Sequence, residues 1–270
     1  MAVEGGAVRS TDFVEALAKG MAILEALGRS APEMTLSEVA RLVGLSPAAA
    51  RRSLLTLEAL GYVGRQARRF HLTPKIMSLG SSFYLAARID EVLLPDLRAI
   101  VDTYGDASSI GTLDGAHVVY LAHYSVQRAR RAMAVAGARY PAFATSMGRV
   151  LLAALPDDAR EAYLANFEPV SLTSRTLIDR SGLRAELERV AADGFATTVD
   201  QLDYGITAIA VPIRDADGRT IAALNSSGYT GIVSPDDMIC DRLPALRETA
   251  MHVSHKIARH PMLRAVLCAQ

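Results

Sequence analysis

Residues 35–60 read TLSEVARLVGLSPAAARRSLLTLEAL, two helices divided by a break at a glycine. Thr35 stands as an N-cap with Glu38 three residues on, the spacing of a capping box. Leu36, Val39, Ala40 and Val43 form the apolar stripe of a short helix that stops at Gly44. Ser46-Pro47 restarts a helix, with a hydroxyl at the cap and proline at the first helical position, where its missing N–H costs nothing. This helix is expected to run to about Leu60 and to bury Ala50, Leu54, Leu57 and Leu60. Ser46, Ala48, Ala49, Arg51, Arg52 and Ser53 are left for other faces near its start. Two arginines among small residues at that place suit a helix lying in a DNA major groove.

Upstream, Val14, Leu17, Ala18, Met21, Ile23, Leu24 and Leu27 recur at helical steps and mark one apolar face of a first helix ending at Gly28. Downstream, Gly61-Tyr62-Val63-Gly64 begins a strand, Gln66 to Arg68 makes a polar tip, and Arg69 to Thr73 returns. Helix, helix, turn, helix and hairpin in that order read as a winged helix-turn-helix. Arg65, Arg68 and Arg69 on the wing are placed to hold the DNA backbone or minor groove. A helical interaction module of the same shape is the alternative.

The charge supports the DNA reading. Lys plus Arg equals Asp plus Glu over the whole chain, 29 of each, yet residues 41–75 carry seven basic side chains against the single acid Glu58. A basic excess confined to one segment is what phosphate neutralisation requires, although a solvated face is the commoner use of basic clusters.

The chain has 270 residues, half of them apolar, enough for a buried core and sized for two domains. No apolar run approaches the roughly 20 residues of a membrane helix, and the first dozen residues lack a basic start followed by an apolar core, so neither export nor membrane insertion is expected. Two cysteines, Cys240 and Cys268, make no disulfide framework and no metal motif, which favours a reducing cytoplasm. His252, His255 and His260 lack a completing Cys or acid nearby in sequence, and neither metal nor cofactor is expected. The expected division is a winged helix-turn-helix at 1–75, a linker helix at 76–90 bearing Met77, Leu79 and Phe83, and a larger domain at 91–270.

At this point the sequence resembles the IclR (isocitrate lyase regulator) family of bacterial transcription factors. The first block is Ala16-Leu17-Ala18-Lys19-Gly20, Leu36-Ser37-Glu38-Val39-Ala40, Gly61-Tyr62-Val63 and Leu72-Thr73-Pro74. The second is Thr145-Ser146-Met147-Gly148-Arg149, Gly194-Phe195-Ala196, Gly205-Ile206-Thr207-Ala208 and Ala222-Ala223-Leu224-Asn225. The Thr-Ser-Met-Gly-Arg string is most similar to the branch regulating protocatechuate and 4-hydroxybenzoate catabolism. That branch often has Cys where this chain has Ala144, and an acidic residue where it has Gln201.

The resemblance implies an α+β chain whose C-terminal domain is GAF-like, binds a small organic acid, and assembles as dimers that pair into tetramers. The local patterns agree. Ser108 to Leu113 and His117 to His123 read as a hairpin, Ser146 to Leu155 and Leu183 to Ala192 as helices, Ile206 to Ile213 and Thr220 to Ser226 as strands, and Pro235 to Arg259 as one long closing helix. Carried over by position, the family's pocket falls on Tyr140, Ser146, Met147, Thr198, Ile206, Ala208, Asn225 and Ser227. Tyr140, Ile206 and Ala208 would be apolar walls. The backbone N–H groups of Ser146 and Met147 would cradle a carboxylate at a helix N-terminus, and Thr198, Asn225 and Ser227 would orient it. Plain helix capping is the other use of Thr145 and Ser146. Arg128, Arg130 and Arg131 could meet an acidic ligand, although a solvated loop or a subunit contact is the commoner use of such a run.

The expected function is therefore effector-modulated, sequence-specific binding to a double-stranded DNA operator. An enzyme on the same scaffold is the competing class. Its motifs are missing: Ser146 sits in no G-x-S-x-G elbow, and there is no phosphate loop and no H-E-x-x-H. Constitutive DNA binding without an effector is the third reading.

Overall fold

The capping box closes as its spacing requires. Thr35 Oγ1 accepts from Glu38 N at 3.3 Å while Glu38 Oε2 accepts from Thr35 N at 2.7 Å. These bonds hold the Glu38 carboxyl below the usual range, first by the backbone bond from Thr35 and then by its hydroxyl. The structure, a computed structural model, describes residues 12–29, 31–126 and 134–268. Arg128, Arg130, Arg131 and Met133 lie outside the described residues. The chain divides into two compact units, Met1–Tyr84 and Leu85–Gln270.

The first unit contains α1 (Glu15–Arg29), β1 (Met34–Thr35), α2 (Leu36–Leu42), α3 (Pro47–Ala59), β2 (Val63–Gln66), β3 (Arg69–Leu72) and most of α4 (Met77–Ala86), whose last two residues fall in the second. Ile23, Leu24 and Leu27 of α1, Val39 of α2 and Leu54 and Leu57 of α3 pack with Val63 and Phe70 of the wing. Burial of one such leucine is worth about 1.5–3 kcal/mol, so this small core depends on every member.

Three expectations change here. Leu60 caps α3 and is 54 % exposed, because the helix ends at Ala59 and turns it outward. The apolar face of α1 splits in two: Ile23, Leu24 and Leu27 are buried, whereas Val14, Leu17 and Met21 form a separate exposed stripe. The wing also has a third strand, since Met34 and Thr35 pair with Phe70 and Arg69 and give the order β1-β3-β2. Two residues are too short to show an alternating pattern in sequence. At the tip of the wing, Ala67 takes a left-handed backbone with φ of 54°.

The second unit begins with α5 (Ile89–Val92), α6 (Leu94–Tyr104), β4 (Ala107–Asp114), β5 (His117–Ser125) and β6 (Arg139–Pro141). It continues through α7 (Ser146–Ala153), α8 (Asp157–Ala165), α9 (Arg180–Asp193), β7 (Ala196–Val199), β8 (Ile206–Arg214) and β9 (Thr220–Tyr229). It ends with α10 (Pro235–Asp237), a π-helical stretch Met238–Arg242, α11 (Leu243–Arg259) and α12 (Pro261–Leu267). The closing helix expected from Pro235 to Arg259 is helical throughout, with a π-helical stretch near its start. The wider π turn sets Arg242 inward, where Nη1 donates to Ser226 Oγ at 2.9 Å and to Ser227 O at 3.0 Å.

Six strands form one antiparallel sheet in the order β6-β5-β4-β9-β8-β7. β6 and β7 escaped the sequence reading because each is only three or four residues long. α7 packs on the sheet, and two glycines allow close approaches beside it, Gly148 to the turn before α7 and Gly111 to the neighbouring strand β5. A Cβ on Gly148 would collide with the Ala142 backbone, and one on Gly111 would sit 2.7 Å from Val118 Cγ1, beneath Met147. α7 is buried along its length, Ser146 and Arg149 included, and its second half is the apolar run Val150 to Ala153.

Candidate functional site

Two sites of opposite character emerge. In the first unit, Ser46 caps α3 by accepting from Ala49 N at 3.3 Å. Ser46, Ala48, Arg51 and Arg52 are exposed, and Ala49 and Ser53 are partly so. Arg51, Arg52 and the wing-tip Arg68 have no ion-pair partner among the described residues. Arg65 and Arg69 are exposed but engaged. Arg65 Nε is 3.2 Å from Glu58 Oε1, and Arg69 faces Glu33 at 3.5 Å and Glu38 at 3.8 Å. Lys75 is drawn back to Leu60 O at 2.8 Å and over the Tyr62 ring. Of the seven basic side chains between residues 41 and 75, Arg65 and Arg69 thus meet acids and Lys75 a carbonyl, leaving Arg41 on α2, Arg51 and Arg52 on α3 and Arg68 at the wing tip with no ion pair among the described residues.

In the second unit, a cavity of about 130 Å³ lies between the sheet and the start of α7. It is close in size to an apolar cavity of ~150 Å³ known to hold one benzene ring. Its floor is a pair of cross-strand rows. Ser125, Ala107, Ser227, Ala208 and Thr198 are successive Cα partners across β5, β4, β9, β8 and β7. His123, Ser109 and Asn225 are partners one step along. Because side chains alternate across a strand, both rows face one side.

Tyr140, Ser146, Thr198, Ile206, Ala208, Asn225 and Ser227 all line this cavity. Met147 does not. Its side chain is fully buried in the core above Gly111, since the second residue of α7 turns towards the sheet. Only its backbone remains near the cavity end of the helix. Thr145 Oγ1 accepts from Gly148 N at 3.0 Å, and this cap leaves Ser146 N and Met147 N without a protein acceptor among the described residues. An anion at this point would meet free N–H groups and the positive end of the helix dipole. Capping and anion holding are therefore compatible: Thr145 does the first and leaves donors for the second.

Four buried polar atoms around the cavity lack a hydrogen-bond partner among the described residues: Ser146 Oγ, Asn225 Oδ1, His123 Nε2 and Ser125 Oγ. Leaving such atoms unmade costs roughly 1–3 kcal/mol each, which a polar ligand recovers. Burial lowers the His123 pKa from 6.5, favouring neutral imidazole, and raises those of Tyr120 and Tyr140. The rings of Tyr120 and Tyr140 meet edge to face with centroids 5.0 Å apart, forming an aromatic wall.

Sequence reasoning missed Tyr120, His123, Ser125 and Ser109. The reason is a register shift between Ile110 and Gly111, which pairs Gly111 with Tyr120 and Ser109 with His123. The bulge puts Tyr120 and His123 on one face although they are three residues apart, where plain alternation separates them. The polar residues His123 and Ser125 at the end of an otherwise apolar strand were the available signal.

Behind the cavity, Arg149 is 4 % exposed. Its Nε donates to Phe143 O at 2.9 Å, Nη1 to Glu186 Oε1 at 3.2 Å and Nη2 to Gln201 Oε1 at 2.7 Å. Burial pulls this guanidinium below its ordinary pKa, with Glu186 opposing. Gln201, the departure from the branch pattern, also accepts from Leu177 N at 2.8 Å, so the neutral amide ties the loop before β8 to α7. Asp200 accepts from Gly205 N at 2.7 Å and from Thr230 Oγ1 at 2.8 Å, making it a loop-organising acid. His252 is engaged with Asp96 at 3.0 Å, and no group of three metal-binding side chains occurs among the described residues.

Comparison with known proteins gives concordant matches. Residues 16–67 match the IclR helix-turn-helix domain and residues 84–255 the bacterial transcriptional regulator IclR C-terminal domain. The Pca regulon regulatory protein of Pseudomonas putida is 34 % identical over 247 residues, 91 % of this chain and 85 % of that protein. The p-hydroxybenzoate hydroxylase transcriptional activator of Acinetobacter baylyi is 34 % identical over 248 residues, 90 % of this chain and 92 % of that protein. A crystal structure of an IclR homologue from Microbacterium hydrocarbonoxydans complexed with 4-hydroxybenzoate superposes with a TM-score of 0.69 at 25 % identity, covering 93 % of this chain and 99 % of that one.

Proposed function

The chain belongs to the IclR family of bacterial transcriptional regulators, and from that premise we propose that a small aromatic carboxylic acid bound in the second unit modulates operator binding by the first. The observation that carries this reading is the one-ring cavity whose unpaired Ser146 hydroxyl adjoins free backbone donors at the start of α7. The carboxylate rests on Ser146 Oγ and the N–H groups of Ser146 and Met147. The Tyr120–Tyr140 wall, Ile206 and Ala208 pack the ring, and Asn225, Ser227 and Thr198 fix its orientation. The relative named as the p-hydroxybenzoate hydroxylase activator and the homologue crystallised with 4-hydroxybenzoate support an aromatic acid over an aliphatic one.

On the DNA side, Arg51 and Arg52, with Ser46, Ala48, Ala49 and Ser53, read the major groove, and Arg68 is the wing's principal phosphate contact. Arg65 and Arg69 assist after leaving their acids. The acid shifts DNA affinity only by its differential affinity for the two arrangements of the regulator. We read the chain as self-associating, supported by the exposed apolar stripe of Val14, just before α1, with Leu17 and Met21 on it, and by Met77, Leu79 and Phe83 on α4. No turnover is assigned to the site: the relatives are named as transcriptional regulators, and the serine–histidine contact there, Ser109 Oγ to His123 Nδ1 at 2.9 Å, has no carboxylate on the far imidazole nitrogen among the described residues.

The test is DNA binding to the chain's own upstream region at fixed salt, titrated with 4-hydroxybenzoate, protocatechuate and aliphatic acids. Site-specific binding shifted by the aromatic acids upholds the reading. A footprint insensitive to every acid leaves a constitutive DNA-binding protein, and absence of any site-specific binding overturns the regulator reading.

A further inference from the structure

The cavity contains more unpaired polar atoms than one carboxylate can satisfy. Ser146 and Asn225 belong to α7 and β9, whereas His123 and Ser125 lie on β5, two strands away from β9. At roughly 4.8 Å per strand, β5 and β9 are separated by about 10 Å. A carboxylate only accepts hydrogen bonds, so it takes the Ser146 hydroxyl and the N–H groups at the start of α7 and leaves the β5 pair for a second polar group on the same ligand.

His123 is built for that task. Ser109 Oγ lies 2.9 Å from His123 Nδ1 and fixes the ring, so Nε2 is the free nitrogen, buried and on the cavity wall. Ser125 follows at i+2 on the same face, with Oγ also unpaired. Tyr120 places its ring 6.3 Å from the imidazole, so aromatic surface runs up to the polar pair. When Ser109 donates to Nδ1, Nε2 carries the proton, and in the opposite arrangement Nε2 accepts. A phenolic hydroxyl meets either tautomer because it both donates and accepts. An aryl C–H meets neither and leaves Nε2 and Ser125 Oγ stranded.

Resting on the aromatic-acid reading above, we infer that His123, oriented by Ser109 and assisted by Ser125, is the specificity-determining residue of the cavity and selects acids bearing a ring hydroxyl over benzoate. A second hydroxyl on the ring engages Ser125, so dihydroxylated acids are accepted as well.

Calorimetric titration of the full-length protein with benzoate, 4-hydroxybenzoate and 3,4-dihydroxybenzoate tests this inference, with the affinity ratio as the readout. The wild type is expected to bind the hydroxylated acids roughly ten- to a hundredfold more tightly than benzoate. His123→Leu compresses that ratio to within about threefold, His123→Gln, which keeps a polar tip, retains part of it, and Ser125→Ala lowers the preference for the dihydroxylated acid. Thermal melts confirm folding. If His123→Leu does not fold, His123→Gln and Ser125→Ala carry the test through the same ratio. An unchanged ratio across the folded variants overturns the inference while leaving the effector reading intact, as does wild type that binds benzoate and hydroxybenzoate equally. Failure of all three acids to bind overturns the effector reading and this inference together.

Discussion

The two units use polar groups in opposite ways. On α3 and the wing the candidate side chains face water, where a lone guanidinium costs nothing. In the cavity the polar atoms are withdrawn from water, where an unpaired hydroxyl or imidazole is a standing cost that only a ligand removes. Substitutions in the first site should therefore alter binding and leave the fold alone. Substitutions around the second should mix binding with stability, more so as they approach the Arg149 cluster.

The largest expected effect tests the buried side. Arg149→Ala empties the space of a buried side chain and strands the Phe143 carbonyl, while Glu186 keeps Arg189 and Gln201 keeps Leu177 N; it should destabilise the protein by about 2–5 kcal/mol, read by chemical denaturation of the second unit's transition. A loss below about 1 kcal/mol would break the contrast, because it would make this cluster behave like a surface ion pair.

Next comes the exposed side. Arg51→Ala with Arg52→Ala should weaken specific operator binding by about 2–6 kcal/mol at fixed salt, with acid binding and thermal midpoint retained. A large fall in midpoint would show that these arginines support the fold instead.

Thr35→Ala removes the capping box where the two roles meet. It should cost about 0.5–2 kcal/mol of stability, and DNA binding should weaken only through that loss. A finer comparison lies within the wing. Arg68→Ala should lower the salt dependence of DNA binding by close to one phosphate contact, whereas Arg65→Ala should change it less, because Glu58 already holds Arg65. Equal slopes would show that the ion pair opens freely on the DNA.

The smallest effect is that of pH. The folded-state pKa of His123 lies below its ordinary 6.5 because burial disfavours the imidazolium. The unfolded chain therefore takes up this proton first as pH falls. The stability associated with the neutral ring is fully present above pH 6.5 and is lost as pH drops through the folded value. Midpoints measured from pH 7.5 to 5.5 should fall more steeply for the wild type than for His123→Gln, and parallel slopes would remove His123 from the account.

The first unit was largely legible because its signals are local. Thr35 to Glu38, Ser46-Pro47 and the hairpin between Gly64 and Arg69 each act within a few residues. The failures there were also local in scale: Leu60 fell just past a helix end, and β1 was too short to show a period. The second unit was legible as elements but less so as a site. The IclR resemblance located seven cavity residues and also Met147, whose side chain the helix phase turns into the core. His123, Tyr120 and Ser125 were invisible because a bulge in β4–β5 overrides the alternation from which a face is inferred.

The sequence by itself determined the order of elements, the basic helix and its wing, and the family to which the chain belongs, because capping, turn chemistry and periodicity act between near neighbours. Only the tertiary structure decided which arginines remain free, since Glu33 and Glu38 reach Arg69 from outside the basic stretch and Glu58 reaches Arg65 from another element. It alone also decided which polar atoms are left unpaired in the cavity, because that is set by the register of five strands and the packing of the start of α7 beside them. Hydrogen bonding and burial are sums over neighbours in space, and separations in sequence such as Ser109 to Asn225 or Arg149 to Gln201 do not announce them.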